Sequence, residues 1–254
     1  MRDFQQARAA AKARIRRRGI YLLPNLFTVA ALFAGFYAIV QAMNQQFENA
    51  AIAIFIAMVL DGLDGRVARL TKTQSAFGAE FDSLSDMVSF GAAPALVMYE
   101  WALRPLDKLG WVAAFVYVAG AALRLARFNT NIDVVDKRFF QGLPSPMAAA
   151  LMAGFIWVAH SFNLTTIAER WVGFSIALFA GLTMVSNVPF YSGKTINLRR
   201  SIPFVVILLI VLGLALVSIH PPLVLFIVSV VYGLSGYAYF GWVWLQKRRR
   251  PASP

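Results

Sequence analysis

Eight apolar runs set the terms on which this chain can fold. They fall at about 22–43, 50–70, 81–101, 110–128, 146–162, 171–188, 203–219 and 223–245. Each approaches the roughly 20 residues that a helix needs to cross about 30 Å of hydrocarbon. Inside lipid every backbone N–H and C=O must find a partner, and a helix supplies those partners within one segment. Charged residues make up only 14% of the 254, where a soluble domain carries about a quarter. The sequence therefore predicts an all-α polytopic membrane protein of about eight transmembrane helices. His220, Pro221 and Pro222 separate the last two runs, because proline cannot continue a helix without losing a hydrogen bond. No repeat or linker divides the chain. The expected layout is a basic arm at 1–21, one transmembrane domain at 22–245 and a basic tail at 246–254.

The formal charge of +12 invites a nucleic-acid reading, and the distribution of the bases argues against it. They gather before the first run, between the second and third, fourth and fifth, and sixth and seventh runs, and in the tail. Only Arg104, Lys108 and Arg170 fall on the opposite side. By the positive-inside rule both termini are expected in the cytoplasm. The arm would also be drawn to anionic lipid, although a plain topology signal explains it as well. It leads straight into a full-length run without a small-residue cleavage pattern, so no cleavable signal is expected.

Against this background the stretch DGLDGRVARLTKTQSAFGAEFDSLSD stands out. It holds Asp61, Asp64, Asp82 and Asp86, four of only 12 acidic residues, and carboxylates near lipid are costly. On a helix, Asp61, Asp64, Gly65 and Ala68 share a sector of about 100°, and Asp82 and Asp86, four apart, also share a face. The short connection between them predicts an antiparallel hairpin that turns both pairs toward each other at one depth. Four such carboxylates cannot all stay ionised without cations. Oxygen ligands alone, in a chain without cysteine, suit Mg²⁺ or Mn²⁺. Four can hold two ions, the apparatus of displacement at phosphorus. Gly65 and Ala68 leave the helix surface bare for a flat group, and Arg69 adds a planar fork suited to phosphate.

Asp61-x2-Asp64-Gly65-x2-Ala68-Arg69-x8-Gly78-x3-Asp82-x3-Asp86 resembles, at every position, the signature of the CDP-alcohol phosphotransferase family. The resemblance covers roughly the first six runs. It implies six core helices, here followed by two more, and a homodimer with its active site open to the cytoplasmic leaflet. In this family an alcohol displaces CMP from a CDP-linked substrate. The resemblance makes Asp61, Asp64, Asp82 and Asp86 metal ligands, with Asp86 also the base that takes the alcohol's proton. It sets Gly65, Ala68 and Arg69 against the nucleotide and its phosphates, and makes Gly78 a point of close helix approach.

The alcohol is chosen elsewhere. PNLFTVAALFAGFYAI at 24–39, ALRLARFN at 122–129, FQGLPSP at 140–146 and VSNVPFYSGK at 185–194 resemble the serine-using branch of the family in bacteria. That likeness implies CDP-diacylglycerol and L-serine as substrates and the bacterial cytoplasmic (inner) membrane as the site of action. Arg124 and Arg127 could receive a substrate carboxylate or phosphate, or be an ordinary basic flank. Asn25 and Thr28 could touch a phosphate or cap the first helix, while Pro144 and Pro146 are expected to set the start of the fifth. Lys194 is read as a topology signal, and His160 and His220 as having no chemical part. Glycerol 3-phosphate or an inositol phosphate remains open as the alcohol. An ion-coupled transporter would instead want acids near the midplane and a repeat with broken helices.

Overall fold

The structure is a computed structural model, and it describes residues 24–71, 73, 75–130, 139–162, 167–192 and 204–249. The basic arm, the end of the tail, and Lys72, Lys137, Arg138, Lys194, Arg199 and Arg200 lie outside the described residues. Helix α1 (Pro24–Met43) is followed by α2 (Phe47–Thr71) and α3 (Ala76–Asp86). A π-helical turn at Met87–Ala92 leads into α4 (Ala93–Met98), and a second at Tyr99–Leu103 leads through a 3₁₀ turn at Arg104–Leu106 to α5 (Asp107–Thr130). Then come β1 (Phe139–Gln141), α6 (Ser145–Ser161), α7 (Ile167–Val185), β2 (Pro189–Tyr191), α8 (Phe204–Ile219) and α9 (Pro221–Arg249).

Over its described residues each of the eight apolar runs is largely helical, yet they differ in reach. Among the described residues four helical stretches are long and apolar enough to cross a membrane: Pro24–Met43, Ala76–Thr130, Ile167–Val185 and Pro221–Gln246. The second of these is 55 residues of unbroken helical assignment and contains two of the expected runs. It doubles back at Asp107, whose φ is +50°, so that α5 packs against α4 and the two π turns. Helix α2 gives its last turns to charge, and α6 and α8 are apolar but short, at 17 and 16 residues. Large apolar side chains cover the outside of α8 and α9, among them Leu208, Leu212, Val231, Phe240 and Trp242. So much exposed apolar surface requires lipid rather than water.

Small residues bring the helices together. The interior is rich in alanine, with Ala38, Ala50, Ala93, Ala149 and Ala177 all fully buried. At the crossing of α5 and α7, a Cβ on Gly120 would lie 2.4 Å from the Gly181 carbonyl oxygen, and one on Gly181 would lie 2.9 Å from Tyr117 Cα. The two backbones touch there, as is usual where dispersion must replace the hydrophobic drive.

The π turn after Asp86 has a local cause. Pro94 has no N–H to offer the Phe90 carbonyl four residues back, and the buried Tyr117 hydroxyl donates to that oxygen at 2.8 Å. One element was not expected in an all-α chain. β1 and β2 form an antiparallel ribbon, with Phe140 opposite Phe190 and Gln141 opposite Pro189. Its strands overlap the stretches FQGLPSP and VSNVPFYSGK, where aromatic residues favour a strand, with Pro144 and Pro146 at the start of α6 and Pro189 beyond the end of α7.

Candidate active site

The end of α2 and the start of α3 form the hairpin that the spacing predicts. Ser75 caps α3, its hydroxyl accepting from the Gly78 N–H at 3.0 Å. The turn is closed by Thr71, whose hydroxyl donates to the Val67 carbonyl and lies 2.7 Å from that of Thr73. Across the hairpin, one carboxylate oxygen from each of Asp61, Asp64 and Asp82 lies within 4.8 Å of the others. The Asp64 and Asp82 side chains come within hydrogen-bonding reach of each other, as do those of Asp61 and Asp86. Asp86 lies outside the close triplet and joins it through Asp61, with Asp82 near enough for their charges to interact.

Helix α1 holds this cluster from the side. The buried Thr28 hydroxyl lies 2.7 Å from Asp64 Oδ2 and donates to it, with the Pro24 carbonyl a more distant acceptor at 3.3 Å. Ser85 and Ser89 donate back to the Thr28 and Ala31 carbonyls at 3.2 and 3.1 Å, so α1 is stitched to α3 and to the π turn that follows it. Gly35 packs directly on Ser89, where a Cβ would come within 2.6 Å of Ser89 Cα. Thr28 is thus directed at a carboxylate as well as at its own helix start, from the wall of a neighbouring cleft. Asn25 faces Gly78, whose Cβ, were there one, would sit 3.3 Å from Asn25 Oδ1.

A cleft of about 230 Å³ opens beside the cluster. Asn25 and Thr28 line one wall, Gly65, Ala68 and Arg69 another, and Gly78 a third, with Asp64 and Asp82 at its end. A Cβ on Gly65 would meet nothing closer than 3.9 Å, so the bare helix surface faces open space. Thr73 and Ser75 add hydroxyls to the lining. Neither was singled out in the sequence, although Ser75, three residues before Gly78, has the spacing of a helix cap.

Arg124 and Arg127 do not line this cleft. Arg124 reaches inward from α5, donates to the Ser145 hydroxyl at 2.9 Å, and is near enough to Asp86 for their charges to interact. Its Nε is buried without a hydrogen-bond partner. Arg127 donates to the Ser186 carbonyl and Asn187 Oδ1 at 3.4 and 3.3 Å. Arg124 at least is no ordinary basic flank, being turned into the protein behind Asp86. Ser145 carried no signal in the sequence. Pro144 and Pro146 do bracket the start of α6.

The residues present fit a hard cation. Asp82 Oδ1 is buried and has no hydrogen-bond partner, and the Asp61 and Asp64 carboxylates converge on the same side chain. Buried acceptors left in this way call for a counter-charge.

An apolar helical chain that gathers carboxylates at the junction of two helices, beside a cleft with a bare wall and an arginine, defines a membrane-embedded protein with a candidate metal site. A family model described as CDP-alcohol phosphatidyltransferase matches residues 21–180, and the chain belongs to that family. The chain is 36% identical over 231 residues to a CDP-diacylglycerol–serine O-phosphatidyltransferase of Helicobacter pylori, covering 89% of this chain and 93% of the relative. It is 34% identical over 223 residues to the protein of that name from Methanocaldococcus jannaschii, covering 87% and 96%. A third relative of the same name, from Mycobacterium leprae, is 32% identical over 218 residues, covering 84% and 72%.

Proposed function

We propose that this chain transfers the phosphatidyl group of CDP-diacylglycerol to the hydroxyl of L-serine, giving phosphatidylserine and CMP. The observation that carries the reading is the convergence of Asp61, Asp64 and Asp82, the last two lining the cleft, with Asp86 beside Asp61. The names of relatives that match most of the chain support serine as the alcohol. Asp61, Asp64, Asp82 and Asp86 would hold one or two Mg²⁺ or Mn²⁺ ions, which supply charge neutralisation to the diphosphate and to the departing CMP.

The chain's own groups do the rest. Gly65 and Ala68 let the nucleotide lie against α2, and Arg69 faces its phosphates. Thr28 keeps the Asp64 carboxylate in one orientation. Asp86 takes the proton of the serine hydroxyl as its oxygen bonds to the phosphorus bearing the diacylglycerol. The bond from that phosphorus to the CMP oxygen breaks, and CMP leaves with the electron pair. A neutral hydroxyl is a weak nucleophile, so a positioned carboxylate is needed there. Arg124 and Arg127 face the serine carboxylate.

The distribution of basic residues supports an arrangement of eight spans, with both termini and the aspartate end in the cytoplasm of a bacterial inner membrane. Resemblance to the family supports a homodimer. The decisive experiment supplies purified protein with CDP-diacylglycerol, Mg²⁺ or Mn²⁺, and each candidate alcohol in turn, and measures CMP release. Serine should support release, and chelation should stop it reversibly. Release with glycerol 3-phosphate or an inositol phosphate but not with serine would overturn the substrate.

A further inference from the structure

Helix α9 lies wholly beyond residues 21–180, the part matched by the family model, yet it grips the ribbon whose flanking segments hold the arginines' partners Ser145, Ser186 and Asn187. Phe190 of β2, fully buried, packs against Tyr232 and Tyr237 with ring centroids 5.7 and 6.5 Å apart. Between those tyrosines Gly236 lies so close that a Cβ would fall 2.5 Å from the Phe190 ring. The Tyr232 hydroxyl donates to the Tyr191 carbonyl at 3.0 Å, and those of Tyr237 and Thr183 are 2.8 Å apart. On the other strand, Phe139 stacks on Tyr239 at 5.2 Å.

The ribbon passes this constraint to the basic groups. Beyond β1, Gly142 adopts φ +78° and donates to the Val188 carbonyl at 2.9 Å, and Leu143 donates to that of Thr183 at 3.1 Å. These bonds deliver Ser145 to Arg124. Just before β2, Ser186 and Asn187 take the guanidinium of Arg127. Tyr232 itself is near enough to Arg124 for the two to interact electrostatically, and Arg124 Nε remains an unused donor.

We propose that α9 positions the alcohol: Tyr232, Gly236 and Tyr237 set the β1–β2 ribbon, and the ribbon sets where Arg124 and Arg127 hold the serine carboxylate. This rests on the serine reading above. The three residues are positioning residues, and they belong neither to the lining of the cleft nor to the carboxylate cluster. They sit on the alcohol's side, so disturbing them should change serine binding and leave the nucleotide side alone.

The test is Gly236→Ala, whose methyl must push Phe190 aside, alone and with Phe190→Leu, which removes the crowded ring atoms. Steady-state CMP release should show a serine KM raised by about tenfold in Gly236→Ala, with KM for CDP-diacylglycerol and the Mn²⁺ dependence essentially unchanged. Adding Phe190→Leu should bring the serine KM back toward wild type. An unchanged serine KM, equal rises in both substrate KM values, or no recovery in the double variant would overturn the proposal. Should Gly236→Ala not fold, Tyr232→Phe deletes only the hydroxyl on the Tyr191 carbonyl and must still raise the serine KM selectively. Wild-type protein without serine-dependent CMP release would sink the serine reading and this proposal with it. Wild-type activity with an unmoved serine KM in the variants would sink this proposal alone.

Discussion

Thr28 on α1 donates its hydroxyl to Asp64 on α2 at 2.7 Å, and both groups are buried. The pair ties the first helix to the carboxylate cluster, and its target, a carboxylate on α2, is one that the spacing of α1 does not show. A ligand carboxylate held by a second hydrogen bond keeps one orientation, and loss of such support typically costs 10–100-fold in metal affinity or activity.

Thr28→Val, which keeps the shape and removes the donor, should lower CMP release by about tenfold or more and raise the Mn²⁺ concentration needed for half-maximal rate. Thr28→Ser should retain most activity. A Thr28→Val enzyme with wild-type metal dependence would mean that Asp64 does not need this bond.

Asp86 and Asp82 should separate by role. Asp86→Asn should reduce turnover by at least about 10²-fold through loss of the base, while the close triplet of Asp61, Asp64 and Asp82 still binds Mn²⁺, as read by electron paramagnetic resonance. Asp82→Asn should weaken Mn²⁺ binding itself. Near-normal turnover in Asp86→Asn would remove Asp86 as the base.

The α5–α7 crossing should govern stability. Gly181→Leu drives a side chain into the backbone of Val116 and Tyr117, and overpacking of this kind costs about 1–3 kcal/mol or more. Thermal unfolding in detergent should show a clear fall in Tm. Gly213→Ala on α8, where a Cβ would meet nothing within 4 Å, should leave Tm unchanged or slightly higher.

Sidedness can be read by labelling, because the chain has no cysteine of its own. Glu80, beside the aspartate end, and Arg104, at the far turn of the Ala76–Thr130 path, are both exposed. In intact cells an impermeant thiol reagent should modify Arg104→Cys and spare Glu80→Cys until the membrane is opened. The reverse pattern would invert the proposed orientation.

Much of the catalytic end was legible because its geometry is local. Asp61, Asp64, Gly65 and Ala68 share a helix face by spacing alone, and Asp82 and Asp86 do likewise. The connection between the pairs is too short for anything but a hairpin. The apolar runs were legible for the same reason, since each helix satisfies its own backbone. The number of full-length spans was less so. Whether 16 or 17 apolar residues suffice, and where the Ala76–Thr130 path folds back, depends on Asp107 and on neighbours far away in the chain.

By itself, then, the sequence determined the helical, lipid-facing character of the protein and the residues of its carboxylate cluster. Both follow from composition and from periodicities of a few residues. Only the tertiary structure decided what surrounds that cluster. Thr28 meets Asp64, Arg124 meets Ser145, and Phe140 pairs with Phe190, each across a long stretch of chain. Such contacts depend on how whole helices cross, and those crossings are set by small residues such as Gly120 and Gly181, whose spacing does not say which helix they will meet.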